Sequence, residues 1–323
     1  MKKFISILLA LMLVMSLGTA AFAESEATVP SDATSVVINK TYKLVGDGSN
    51  PAETFTLEQV GNGEVSESDA TFAPRLGAIT AAAFNAGEAT AEGVTHAITV
   101  ELPSYDKVGI YTYTLREVNN NNAGVSYFAN DITLVVTVVN GENGTLRIAG
   151  VHTQGIGEGT TKSDTFENTY SAGTLNVSKK VKGNLGDKSK YFEFKVTLTG
   201  EEGMTYAESF AVSGGSNEAN PNTIKIGEET TFLLKHDETI SIANIPYKVS
   251  YTVTETAVEG YETTKTGDSG TINAAAQTAA FTNTKNGSVD TGISLDSLPY
   301  ILMLVVVGAA IVVVSTRKKG EQF

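Results

Sequence analysis

Between residues 35 and 286 the sequence predicts an all-β fold, most simply a sandwich, and three observations predict it. The segment is rich in Val, Thr, Ile and Tyr, alternating apolar with polar residues as half-buried strands do. Pairs such as Gly46-Asp47, Asn140-Gly141, Gly214-Gly215 and Asn286-Gly287 break the runs where turns are needed. No long stretch carries apolar residues at helical spacing. One segment differs: Gly61 to Gly93 is rich in Ala, Glu and Gly, and around Ala78 to Phe84 it predicts a short helix or an insertion loop.

The chain opens with Met1, Lys2 and Lys3, an apolar run from Phe4 to Leu17, and a small-residue stretch ending Ala21-Phe22-Ala23. Charge, apolar core and small-x-small site in that order read as a secretory signal peptide over residues 1–23, followed by a mature N-terminal segment, 24–34. The next 250 residues are an internal repeat. Val36-Val37-Ile38-Asn39-Lys40 is echoed by Leu175-Asn176-Val177-Ser178-Lys179, the GIYTYTLRE run ending at Glu117 by the KVSYTVTE run ending at Glu255, and Phe166-Glu167-Asn168-Thr169 by Phe281-Thr282-Asn283-Thr284. Two versions of one domain, 35–171 and 172–286, joined near Ser171 to Gly173, account for the repeat.

The last segment, 287–323, holds a second apolar run over 298–314, followed by Arg317, Lys318 and Lys319. Its length is at the short limit for a membrane span, and the basic tail would keep its end in the cytoplasm. Upstream lies Ser288-Val289-Asp290-Thr291-Gly292. A Thr-Gly pair, an apolar span and a basic tail in this order resemble a sortase sorting signal, in which a cysteine transpeptidase cuts between Thr291 and Gly292. Ser288 and Val289 stand where that motif has Leu-Pro, and a plain membrane anchor is the alternative.

Charge and composition exclude several function classes. Without residues 1–23 and those after Thr291 the chain has 18 basic and 34 acidic residues, a net charge of −16 that should repel nucleic acid and anionic lipid. Cysteine is absent, so disulfides, thiol catalysis and thiolate metal sites are unavailable. His96, His152 and His236 lack neighbours at metal-ligand spacing, and no Gly-rich phosphate loop is present, so no metal or cofactor is expected. The adjacent carboxylates Glu201-Glu202 and Glu228-Glu229 read as solvated rather than catalytic, and the chain as no enzyme in the ordinary sense.

Strand parity supplies the candidate chemistry, because alternate side chains share a face. Lys40 has the parity of Val36 and Ile38; Lys179 that of Leu175, Val177 and Val181. Glu117 goes with Tyr111, Tyr113 and Leu115, and Glu255 with Tyr251 and Val253. Asn168 goes with Phe166 and Asn283 with Phe281, so all six polar residues point to the apolar side of their strands. Burying a charged Lys and Glu costs several kcal/mol unless they are fully partnered. A satisfied buried ion pair, or edge strands with accidental parity, would be the plain explanations. The covalent one is that Lys attacks the Asn carboxamide, ammonia leaves, and an isopeptide bond ties the first strand of each domain to its last. Desolvation favours the neutral, nucleophilic amine and a protonated acid. A protonated Glu could then polarise the Asn carbonyl and shuttle the proton that ammonia requires. Lys and Glu lie 77 residues apart in the first domain and 76 in the second.

At these residues the sequence resembles the pilin isopeptide-linkage domains of Gram-positive backbone pilins, in the two-domain streptococcal type. The resemblance rests on VINK and LNVSK, TLRE and TVTE, FENT and FTNT, and covers most of residues 35–285. It implies immunoglobulin-like sandwiches, autocatalytic bonds Lys40–Asn168 and Lys179–Asn283 with Glu117 and Glu255 as the catalytic acids, and polymerisation by a sortase. The implied partners are that sortase, other copies of the chain in a covalent fibre, and peptidoglycan or companion pilins, with membrane contact only before sorting. The implied location is the Gram-positive cell wall and its surface pilus. Streptococcal-type shaft pilins place their acceptor lysine late in the first domain, which points to Lys162 in Gly159-Thr160-Thr161-Lys162-Ser163. A wall-anchored adhesin or tip pilin using the same domains as a stalk is the competing reading, with Gly61 to Gly93 as its candidate binding surface.

Overall fold

The computed structural model describes residues 33–156, 162–288 and 300–307. The signal peptide, Thr291 and Gly292 lie outside the described residues. In the first domain the strand Ser35–Gly46 turns Ile38, Lys40 and Tyr42 inward, each fully buried. It pairs antiparallel with Val94–Glu101 and parallel with the first half of Thr165–Lys182. The facing sheet is an antiparallel run of Leu57–Ser66, Gly109–Glu117, Ile132–Asn140 and Leu146–Gln154. Tyr111, Tyr113, Leu115, Leu134 and Val136 from that sheet close on Ile38, Ile98 and Val100, which is the period-two burial of a sandwich core.

The second domain repeats the plan. The second half of Thr165–Lys182 lies between antiparallel Glu238–Pro246 and parallel Ala276–Thr284. A sheet of Glu229–Leu234, Phe192–Thr199, Ser250–Glu255 and Ser269–Thr271 faces it. Phe194, Val196, Phe232 and Val253 pack there against Val177, Ile240 and Phe281.

No linker separates the domains at Ser171 to Gly173. Thr165–Lys182 is one 18-residue strand, the last of the first sandwich and the first of the second. Its partner changes from Ser35–Gly46 at Ala172 to Ala276–Thr284 at Thr174. Gly173 sits at the change because a Cβ there would be 2.2 Å from the Ala274 carbonyl oxygen. Across the junction the Ala123 N–H donates to Thr205 O and the Thr205 N–H to Asn121 O, both at 2.8 Å, and the Tyr247 N–H donates to Ser171 O at 3.0 Å.

The segment Gly61 to Gly93 forms no helix. Ala82–Phe84 is a short strand against Glu53–Phe55, with Ala82 and Phe84 buried and Ala83 exposed. Leu76 and Ala89 are buried too, and the Phe84 ring packs edge-on against Tyr42 and Phe55. Core packing at every second residue overrides the helical propensity of the alanines. This segment is therefore partly core rather than a free binding loop.

Among the described residues no helix is long and apolar enough to cross a membrane, so the span expected over 298–314 gains no support there. Residues 300–307 are helical and exposed; the rest of that stretch lies outside the described residues.

Candidate functional site

The first sandwich brings Lys40, Glu117 and Asn168 together in its core. Lys40 and Asn168 come from neighbouring parallel strands; Lys40 stands opposite Phe166, and Asn168 opposite Tyr42. Glu117 reaches them from the facing sheet as the last residue of Gly109–Glu117. Lys40 Nζ lies 2.7 Å from Glu117 Oε1, but off the angle of a directed hydrogen bond, so Nζ is close to the carboxylate without being tied to it. The Asn168 amide donates to both Glu117 oxygens at 3.0 Å, and the Phe128 backbone N–H donates to Oε2 at 2.7 Å. Lys40 Nζ also sits 3.8 Å from the Phe166 ring centre and 4.8 Å from that of Phe55.

The second sandwich reproduces the arrangement. Lys179 stands opposite Phe281, and Asn283 is again two residues further on. Lys179 Nζ donates to Glu255 Oε1 at 2.7 Å, and the Asn283 amide donates to the same oxygen at 2.5 Å. The rings of Phe192 and Phe194 lie 4.2 and 5.6 Å from Nζ. Here Glu255 Oε2 is buried without a partner, whereas its counterpart in the first domain holds the Phe128 N–H.

Burial sets the charge state. Removal from water lowers the Lys40 ammonium to about 8, against the smaller opposing pull of Glu117. Burial lowers Lys179 as well, against its hydrogen bond and charge pairing with Glu255. A readily neutralised amine next to a carboxamide is what nucleophilic attack requires. Each Glu touches both nitrogens of the exchange, the attacking Nζ and the departing Nδ2, and can take a proton from one and deliver it to the other. The carbonyl oxygens Oδ1 of Asn168 and Asn283 are buried and unpartnered. The geometry thus favours the proton-shuttling role of Glu over carbonyl polarisation; rotating the amide by a half turn would exchange the two.

Of the other expected residues, Lys162 is exposed between Leu146–Gln154 and the long strand. Glu201, Glu202, Glu228 and Glu229 are exposed as well. Among the described residues no cluster of His, Asp or Glu could hold a metal ion. Sequence reasoning missed the aromatic walls and the Phe128 N–H. Phe166 and Phe192 were readable as apolar positions, but nothing in the sequence shows that they close over an amine.

Residues 37–171 match the family described as "Spy0128-like isopeptide containing domain". Residues 173–285 match one described as a domain of unknown function (DUF7601), and the two matches meet at the Gly173 crossover. Over 236 residues the chain is 29% identical to a pilin of Streptococcus pyogenes serotype M1, covering 66% of this chain and 69% of that one. Over 129 residues it is 30% identical to the pilus tip adhesin Cpa of Streptococcus pyogenes, covering 38% of this chain and 18% of that protein. The crystal structure of the major pilin from Streptococcus pyogenes superposes with a TM-score of 0.50 at 22% identity, covering 80% of this chain and all of that one. That likeness establishes the shared fold.

Proposed function

We propose that the chain is a structural subunit of a surface pilus, exported, joined to its neighbours by a sortase through Thr291, and stiffened by Lys40–Asn168 and Lys179–Asn283 isopeptide bonds. The observation that carries the reading is the duplication. The same three residue types meet in the same strand register in two separate cores, in a chain related along two thirds of its length to a pilin. In each core the neutral Lys Nζ attacks the Asn Cγ. The Nζ proton passes through Glu to Nδ2, the Cγ–Nδ2 bond breaks, and ammonia departs. Net charge is unchanged and no cofactor is consumed.

A tip or single-copy adhesin is the second reading, favoured only by the match to the tip adhesin. That match spans 18% of the adhesin, against 69% of the pilin. An immunoblot of wall extracts separates the two. A shaft subunit gives a high-mass ladder that survives boiling in detergent; a single discrete band would reject it.

A further inference from the structure

The two cores differ at one oxygen of the glutamate. Glu117 uses both of its oxygens. Oε1 lies 2.7 Å from Lys40 Nζ and accepts from the Asn168 amide at 3.0 Å, while Oε2 accepts from that amide at 3.0 Å and from the Phe128 N–H at 2.7 Å. Glu255 uses one. Lys179 Nζ and the Asn283 amide both donate to its Oε1, and its Oε2 is buried with no partner among the described residues.

The difference comes from the edge strand that follows each glutamate. In the second domain Glu262–Thr266 runs antiparallel beside Ala276–Thr284 and sets Thr263 opposite Asn283 and Thr264 opposite Thr282. In the first domain only Val125–Ser126 keeps the corresponding place, opposite Tyr170 and Thr169. Continued for two residues, that register would put Phe128 opposite Glu167, as Thr264 is opposite Thr282. Instead the chain departs after Ser126, and Phe128 gives its N–H to Glu117. The departure is held on both sides. Before it, the Ser171 N–H donates to Gly124 O and the Ala123 N–H to Thr205 O of the second domain, both at 2.8 Å. After it, the Phe128 ring lies 5.4 Å from that of Phe166, which stands against Lys40 Nζ.

We propose that the Phe128 backbone N–H is a positioning group for the first isopeptide bond, one that the second bond does without; the inference rests on the covalent reading of the site. A carboxyl group turns easily about its last side-chain torsion. An N–H donated to Oε2 holds that rotation still in either protonation state of Glu117, because a carboxylate oxygen and the carbonyl oxygen of the acid both accept. The transferred proton is then left to Oε1, the oxygen within reach of both nitrogens. It comes from Lys40 Nζ as the Nζ–Cγ bond forms. It passes from Oε1 to Nδ2 as the Cγ–Nδ2 bond breaks and ammonia leaves. Phe128 exchanges no proton and acts only through Glu117.

Replacing Phe128 with its α-hydroxy analogue during cell-free translation turns the N–H into an ester oxygen and keeps the ring. In the Glu255→Ala background, where only the first bond can form, the ester chain should lose ammonia about tenfold or more slowly than its parent, read by intact mass over time. Phe128→Leu, which keeps the N–H, should stay close to the parent rate. In the Glu117→Ala background the ester should leave the second bond's rate unchanged. A second measurement needs no ester. In Asn168→Ala, which holds the first site unreacted, the Phe128 amide should exchange about tenfold or more slowly than in the Glu117→Ala, Asn168→Ala double variant. Equal rates of ammonia loss from ester and parent, or equal exchange of the Phe128 amide in those two variants, would overturn the role of Phe128 and leave the bond standing. Slowing of both bonds by the ester would overturn it too. A parent that loses no ammonia would remove the bond along with it.

Discussion

Asn168 lies two residues beyond the register partner of Lys40 on the neighbouring parallel strand, and Asn283 bears the same relation to Lys179. Lys40 Nζ lies over the ring of Phe166 at its own level, whereas Lys179 Nζ lies over Phe192 and Phe194 of the facing sheet, and in each domain the lysine and the asparagine amide meet on the same glutamate. In both domains the Glu arrives from the opposite sheet, so each Lys–Glu–Asn cluster includes residues from both layers of the sandwich. Closing the sandwich is what assembles it, and bond formation should follow folding.

Bond formation is read directly by mass. Folded recombinant protein should weigh two ammonias less than its sequence. Glu117→Ala and Glu255→Ala should each restore one, since each domain has its own proton carrier. Intact mass spectrometry of the three proteins is the measurement, and a wild-type mass with no deficit would sink the covalent reading.

Removing the first bond should expose the titration it conceals. In Asn168→Ala the Lys40 amine stays free, and the burial that lowers it to about 8 in the native core should hold it below its value of about 10.4 in the unfolded chain. Between those values the unfolded state binds more protons than the folded one, so stability rises as pH rises through the window and falls as Lys40 is charged below it. Wild type, in which the proposed bond would turn the Lys40 nitrogen into an amide, should lack this contribution. Chemical denaturation at pH 7.5 and pH 10 should show a larger gain for the variant, whereas equal pH responses would contradict a free, buried amine. At a fixed pH the variant should also lose roughly 5 kcal/mol, because the bond closes a loop of more than a hundred residues.

Much of this site was legible in the sequence because a strand's period of two fixes which side chains share a face. Lys40, Asn168, Lys179 and Asn283 are buried where parity put them. The same rule did not extend to the domain junction. A tandem repeat reads as two bodies with a boundary, and only the change of partners at Gly173 shows one strand serving both. Nor did it extend to Ala78 to Phe84, where helix-forming alanines outweighed the alternating Ala82 and Phe84 that the core selects. The ring of Phe166 over Lys40 depends on contacts between strands far apart in the chain, which no local pattern records.

That ring has a measurable role. Phe166→Ala would open the wall 3.8 Å from Lys40 Nζ, admit water and return the amine toward its ordinary charged form. The first bond should then form more slowly while the second forms at its wild-type rate, because Lys179 is walled by Phe192 and Phe194 instead. A time course of ammonia loss after refolding, resolved by domain with Glu117→Ala and Glu255→Ala as references, checks this. Equal slowing of both bonds would point to a general folding defect.

The direction of load gives the last prediction. If Lys162 receives the neighbour's Thr291, tension enters three residues before Thr165–Lys182 and runs along that single strand to Lys179. There the Lys179–Asn283 bond would pass it to Ala276–Thr284, which leads out towards Thr291, so the rest of the second domain would hang off the loaded path. The Lys40–Asn168 bond would join the loaded strand to Ser35–Gly46, which lies off it, and would resist unfolding and proteolysis rather than extension. Pulling between residues 162 and 291 in a force spectrometer should therefore give no unfolding step in wild type or in Asn168→Ala. A step matching the second domain should appear in Lys179→Ala and in Asn283→Ala. In cells Lys162→Ala should abolish the high-mass ladder without stopping export of the monomer. A normal ladder from that variant would move the entry point of the load and reassign which bond bears it.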